Sequence, residues 1–222
     1  MNSPNKKSIQ TFPWEPDYNC ALCPRLREFI SELKIKYPDY YNGPVPSFGD
    51  PKPELLIIGL APGLHGANQT ARPFTGDWAG DLLYSSLAKF GFTQGTYEGH
   101  ADDGLRLKRV MITNAVRCVP PQNKPIGAEC NNCRPFLTEQ LNALNSVKAI
   151  MTLGKISHDN TIRALGLRLK DYKFTHHGIF KIEGERRLFS SYHCSRYNTN
   201  TKRLTEDMFH DIFKSIKAYL DT

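Results

Sequence analysis

The sequence has no long apolar run. No stretch approaches the roughly 18 consecutive apolar residues of a membrane-spanning helix, although 40% of its 222 residues are hydrophobic. The first dozen residues, MNSPNKKSIQTF, lack the apolar core of a secretory leader, so a cytoplasmic location and no membrane partner are expected. Repeats and low-complexity segments are absent. Neither Gly-x-x-x-x-Gly-Lys-Ser/Thr nor Gly-x-Gly-x-x-Gly occurs, which counts against a nucleotide-cofactor enzyme. Acidic residues are in deficit, 22 Asp and Glu against 29 Lys and Arg, for a net charge of +7. Such an excess favours a polyanionic partner, with a solvated basic surface as the plainer alternative.

What is present alternates between strand and helix patterns. Apolar positions Leu26, Phe29, Ile30, Leu33 and Tyr37 predict a helix over about 22–37. The run Glu54–Leu60 is apolar without alternation, as in a strand buried on both faces. Further strands are expected at Arg109–Asn114, Val147–Leu153, Gly178–Ile182 and Arg187–Ser191. Helices are expected at Asp81–Phe92, Ala128–Leu144, Lys155–Leu165 and Leu204–Leu220. The order implies an α/β domain with a mainly parallel sheet. Residues 1–15 are expected to be disordered, and Tyr40–Pro53 reads as a loop.

In such a fold ligands sit beyond the carboxyl ends of the strands. Three loops should meet there. Gly59–Gly80 (GLAPGLHGANQTARPFTGDWAG) holds five glycines, which let backbone approach a ligand, and offers Asn68, Phe74 and Asp77. Thr113–Pro125 begins with Asn114 at a strand end. Ser191–Thr205 (SYHCSRYNTNTKRLT) places His193 at another. Taken alone, each has an ordinary structural reading: a core Phe, a strand-ending Asn, a structural His, and Asp77 as a helix N-cap.

Six cysteines occur, and in a reducing compartment disulfides are not expected. Two Cys-x-x-Cys pairs, Cys20/Cys23 and Cys130/Cys133, on spacing alone favour a zinc site built from those four.

Together the motifs resemble the uracil-DNA glycosylase superfamily, and most closely its family 5, the type-B enzymes. The resemblance rests on Gly-Leu-Ala-Pro-Gly, Arg-Pro-Phe-Thr-Gly-Asp, Thr-Asn-Ala-Val-Arg-Cys, the His193-Cys-Ser195 loop, Asp102-Asp-Gly-Leu105 and Cys133-Arg-Pro-Phe-Leu137. It runs from about Cys20 to Leu220 and implies a three-layer α/β/α sandwich, with residues 16–222 as one glycosylase domain. It also implies hydrolytic excision of uracil, and of hypoxanthine and other damaged bases, in base excision repair.

By the same resemblance His193 donates to the departing base, Phe74 stacks on it, Asn114 reads its edge, and Ala61 and Gly63 line its pocket. Ser195, Arg196, Tyr197, Asn198, Lys202 and Arg203 contact DNA. Leu60 and Ala61 stand where many members carry a water-positioning side chain, leaving Asn68, Asp77 and Asn114 as candidates. Cys20, Cys23, Cys118 and Cys133 would hold a four-iron, four-sulfur (4Fe-4S) cluster, leaving Cys130 outside it. Double-stranded DNA is the expected partner, with single strands as a second form, and the chain is expected to act as a monomer. The rival readings are a non-catalytic nucleic-acid-binding protein with a structural metal and an α/β cofactor-binding enzyme.

Overall fold

The computed structural model describes residues 12–222. In chain order come α1 (Pro24–Lys36), β1 (Phe48–Gly49), β2 (Leu55–Gly59), α2 (Ala67–Thr70) and α3 (Trp78–Lys89). A hairpin of β3 (Thr93–Gln94) and β4 (Arg106–Leu107) precedes β5 (Val110–Asn114) and α4 (Gly127–Ala143). Then follow β6 (Ala149–Leu153), α5 (Lys155–Ala164), β7 (Gly178–Lys181), β8 (Arg187–Ser191), α6 (Arg196–Asn200) and α7 (Glu206–Leu220).

Six strands form one sheet in the order β1-β5-β2-β6-β8-β7. The inner four are parallel, and β1 and β7 pair antiparallel at the two edges. Every residue of β2, β5 and β6 is buried, because helices cover both faces. Alternate side chains of β2 therefore enter different cores: Leu55 and Ile57 join Leu83 and Leu87 of α3 and Phe209 and Phe213 of α7. Leu56 and Ile58 join Leu137 and Leu141 of α4 and Ile162 of α5. The result is the expected three-layer α/β/α sandwich, and the long elements begin and end within three residues of the sequence reading. The two-residue strands β1, β3 and β4 were not expected, and β1 falls inside the stretch read as loop.

Of the residues expected to be disordered, 1–11 lie outside the described residues. Residues 12–15 are packed, which moves that boundary. Trp14 is buried and stacks on Phe12 with ring centroids 4.9 Å apart. Glu15 pairs with Arg117 at 2.8 Å, with both side chains shielded from solvent. Arg117 also donates to Ser47 Oγ and to Gln140 Oε1, so one guanidinium ties the N-terminal arm to the sheet and to α4.

Arg117→Ala would leave Glu15 and Gln140 buried without their donor, and such losses cost about 3–5 kcal/mol. A urea unfolding midpoint lowered accordingly is the expected result; an unmoved midpoint contradicts the assigned role.

Candidate active site

Parallel pairing sets the end of β2 beside the end of β5, with Gly59 in register with Asn114. A Cβ added to Gly59 would stand 2.3 Å from Asn114 Oδ1 and 2.7 Å from Phe74 Cζ. Glycine is thus required there, because an amide and an aromatic ring close on its Cα. Asn114 is 2% exposed, and its Oδ1 has no hydrogen-bond partner among the described residues. A buried acceptor left unpaired costs about 1–3 kcal/mol, so this oxygen is suited to a ligand that donates.

Phe74 sits in the left-handed backbone region, with φ +54°. Its neighbours hold it there. Arg72 is bidentate to Asp103 at 2.7 Å through each nitrogen and donates through Nε to Thr75 Oγ1. Its guanidinium lies 5.1 Å from the Phe48 ring centre and 5.5 Å from that of Tyr84, and Tyr84 donates to Pro73 O. Strain of about 1–3 kcal/mol persists only where surroundings fix it, typically at a functional site.

His193 follows β8 and lies against Phe74, with ring centroids 6.0 Å apart and planes 30° apart. Burial moves its imidazole from the ordinary 6.5 down to about 4, so it is neutral at physiological pH. Asn198 Nδ2 donates to His193 O at 2.8 Å and fixes the backbone of this loop.

These three side chains line one cleft of about 380 Å³ together with Ala61, Gly63 and Asp77. Asp77 caps α3, its Oδ1 accepting from Gly80 N at 3.0 Å. Its Oδ2 lies over Gly63 and Gly66. Burial raises its pKa, partly offset by hydrogen bonds from the backbone of Gly80 and Ala79. The helix-cap reading and the cleft reading of Asp77 therefore both describe this residue. Six lining residues, Leu60, Pro62, Ala67, Trp78, Ala79 and Asn123, were not expected as contributors. Asn123 carried a signal, an amide in the Pro-rich loop that leaves β5.

Asn68 is corrected. It is fully buried and outside the cleft wall, with Nδ2 bonded to Asn42 Oδ1 at 2.9 Å. The basic segment after His193 is helical rather than a loop. Ser195 caps it, accepting from Asn198 N. Ser195 and Arg196 reach the cleft, whereas Tyr197 is 72% exposed, Lys202 is exposed, and Arg203 lies 4.6 Å over Tyr192.

A second cavity is lined by Cys20, Cys23, Cys118 and Cys133, with Pro16, Leu26, Val116 and Phe136. Cys130 packs nearby but is not among the lining residues and takes a hydrogen bond from Asn160, so the four cysteines of the cavity wall differ from the four that spacing suggested. Among the described residues no group of His, Cys, Asp or Glu closes on one point as a single ion requires. Burial pushes the Cys118 thiol well up and that of Cys133 up to about 11. Such thiols ionise only against a strong positive charge.

His193 provides a direct test of the cleft's electrostatics. Its ring resonances should titrate with a midpoint near 4 by NMR, while exposed histidines titrate near 6.5. Because the folded pKa is the lower one, the stability this group contributes is complete above about 6.5 and is lost as pH falls toward 4. A midpoint near 6.5 would contradict the enclosure described.

Among known proteins, the model of the uracil DNA glycosylase superfamily matches residues 46–217. A type-5 uracil-DNA glycosylase of Thermus thermophilus is 40% identical over 203 residues, covering 89% of this chain and 92% of that one. One from Pyrobaculum aerophilum is 35% identical over 214 residues, covering 92% and 93%. A type-4 enzyme of Sulfurisphaera tokodaii is 31% identical over 196 residues, covering 83% and 80%. A family model spanning most of the sheet and its loops, with relatives aligned over about nine-tenths of their length, leaves one conclusion: the chain belongs to the uracil DNA glycosylase superfamily.

Proposed function

We propose that this protein hydrolyses the N-glycosidic bond of uracil in double-stranded DNA, acting as a monomer, with single strands as a second substrate form. The observation that carries the reading is the meeting of Phe74, Asn114 and His193 around one cleft. A base inside a duplex is out of reach, so the nucleotide must rotate out into such a pocket. Phe74 then stacks on its face, a contact of about 1–3 kcal/mol that tolerates any base. Asn114 matches a base edge with its free Oδ1 acceptor and its amide donors.

Bond breaking sends the electron pair of C1′–N onto the base and leaves positive charge on the sugar. The neutral His193 ring donates a hydrogen bond to the base oxygen as that oxygen becomes anionic, without giving up its proton. Asp77 supplies the carboxylate that faces the sugar. It orients a water molecule whose oxygen bonds to C1′ and whose released proton it accepts. Asn123 is a second amide within reach of the base. Small residues at Ala61 and Gly63 leave the pocket wall open, which supports a range extending to hypoxanthine and other damaged bases. Arg196 and the exposed Lys202 supply phosphate contacts.

The donor set at the second cavity suits a 4Fe-4S cluster. Cys20, Cys23, Cys118 and Cys133 would hold it, since they line one cavity and burial of Cys118 and Cys133 disfavours their ionisation despite Arg27 and Arg117 in the wall, an effect a cationic cluster core would offset. Bound there, the cluster crosslinks the segment before α1, the Pro-rich loop and α4, and supplies no redox step. The chain's own residues carry the chemistry.

Purified protein should release uracil from an end-labelled duplex. Asp77→Asn keeps a helix cap and removes only the charge, so it should slow single-turnover excision by about 100-fold or more. His193→Ala should slow it by about 100-fold, with DNA affinity nearly retained. Full-rate cleavage by either variant excludes the assigned role. For the cluster, bound iron and sulfide and the associated visible absorption should disappear in Cys118→Ser and persist in Cys130→Ser. The reverse pattern, or one zinc per chain, rules out the ligand set.

A further inference from the structure

Trp78 stands apart from the other aromatic residues of the cleft. Phe74 is 7% exposed at its inner end, whereas Trp78 remains 49% exposed at the mouth. Its indole N–H donates to Thr199 Oγ1 of α6 at 3.0 Å, and the Arg196 guanidinium lies over its ring, 5.6 Å from the centre. Two segments distant in sequence thus meet on one indole, Gly59–Gly80 with Asp77 and the helix after His193. An indole left half in water is costly apolar surface, and α6 covers it only in part, through Arg196 and Thr199. Tyr197 is more exposed, yet it is absent from the cleft wall.

The pairing of ring and guanidinium suits a nucleotide better than a protein side chain. An aromatic face stacks on a base or sugar, and a guanidinium beside it binds phosphate in a fixed geometry. The cleft admits the extruded base past Trp78 to Phe74, so what lies level with Trp78 is the neighbouring nucleotide of the same strand. We infer that Trp78 is the stacking surface for the nucleotide flanking the extruded one, with Arg196 holding the adjoining phosphate. The inference rests on the glycosylase reading and adds a second aromatic contact, outside the base pocket.

The chain has two tryptophans, so Trp14→Phe makes Trp78 the sole tryptophan, read apart from the tyrosines by red-edge excitation. Trp14 Nε1 is buried without a hydrogen-bond partner among the described residues, so phenylalanine there breaks none of the bonds described. In that background, binding to a duplex carrying one non-cleavable 2′-fluoro-deoxyuridine should quench the emission of Trp78. Trp78→Ala should weaken the Kd for the same duplex about tenfold, within the range of one stacked base. The loss in affinity should exceed any loss in single-turnover rate. Trp78→Phe keeps a ring but not the bond to Thr199, and should stay within about threefold of the parent, with thermal melts confirming that both variants fold.

Equal weakening by Phe and Ala would assign the effect to the tether on α6 and overturn stacking. So would an unmoved emission, or an Ala variant with parental affinity. Absence of uracil release by the unaltered protein would instead remove the function reading itself, which separates the two failures.

Discussion

The cleft depends on one buried ion pair, Arg72 with Asp103. Both side chains are almost fully hidden, and the guanidinium makes two parallel bonds to the carboxylate. Burial works against the charge on Asp103. The bonds from Arg72 and from the backbone of Leu105 and Glu98 outweigh it and hold the carboxyl at about 2. A pair of this kind is a weak source of net stability and a strong source of position. It clamps the residues on either side of Phe74 and so maintains a backbone conformation that a bulky residue seldom adopts. Through Phe74 the restraint reaches Gly59, Asn114 and His193.

A second buried guanidinium does comparable work on the other side of the sheet. Arg117 follows Asn114 by three positions, and its own N–H lies 3.4 Å from Cys133 Sγ. Arg25 pairs with Glu129, which also accepts from Ile126 N at the start of α4. These contacts hold α1, α4 and the Pro-rich loop around the cysteine cavity by polar bonds of the chain itself. Ala61 lines the cleft and packs against the apolar side of that cysteine cluster, so the two sites share a wall.

The sheet was legible in the sequence because strands covered on both faces appear as unbroken apolar runs, and their ends mark where polar residues collect. Asn114 and His193 could be placed by that rule, and Phe74 and Asp77 by the loop they share. Other features turn on partners remote in sequence. Asn68 looked available until Asn42, 26 positions earlier, engaged its amide. Gly59 looked like one glycine among several, and only the approach of two side chains shows why it is needed. Cys130 had the better spacing, but Cys133 and not Cys130 lines the cavity with Cys20, Cys23 and Cys118, which no spacing rule shows. Two-residue strands have no periodicity to read, and the helix after His193 is too short to carry one.

The pairing of β2 with β5 does not stop at the strand ends. Ala115 N donates to Gly59 O and Val116 N to Leu60 O, at 3.0 and 2.9 Å. Two added rungs carry the sheet's ladder into that side of the recess. The opposite side is tied largely through side chains, Asn198 to His193 O, Trp78 to Thr199 and Cys194 Sγ to Ala79 O. The recess is therefore built unevenly: its asparagine wall continues the backbone ladder of the sheet, while its histidine wall is fastened through side chains.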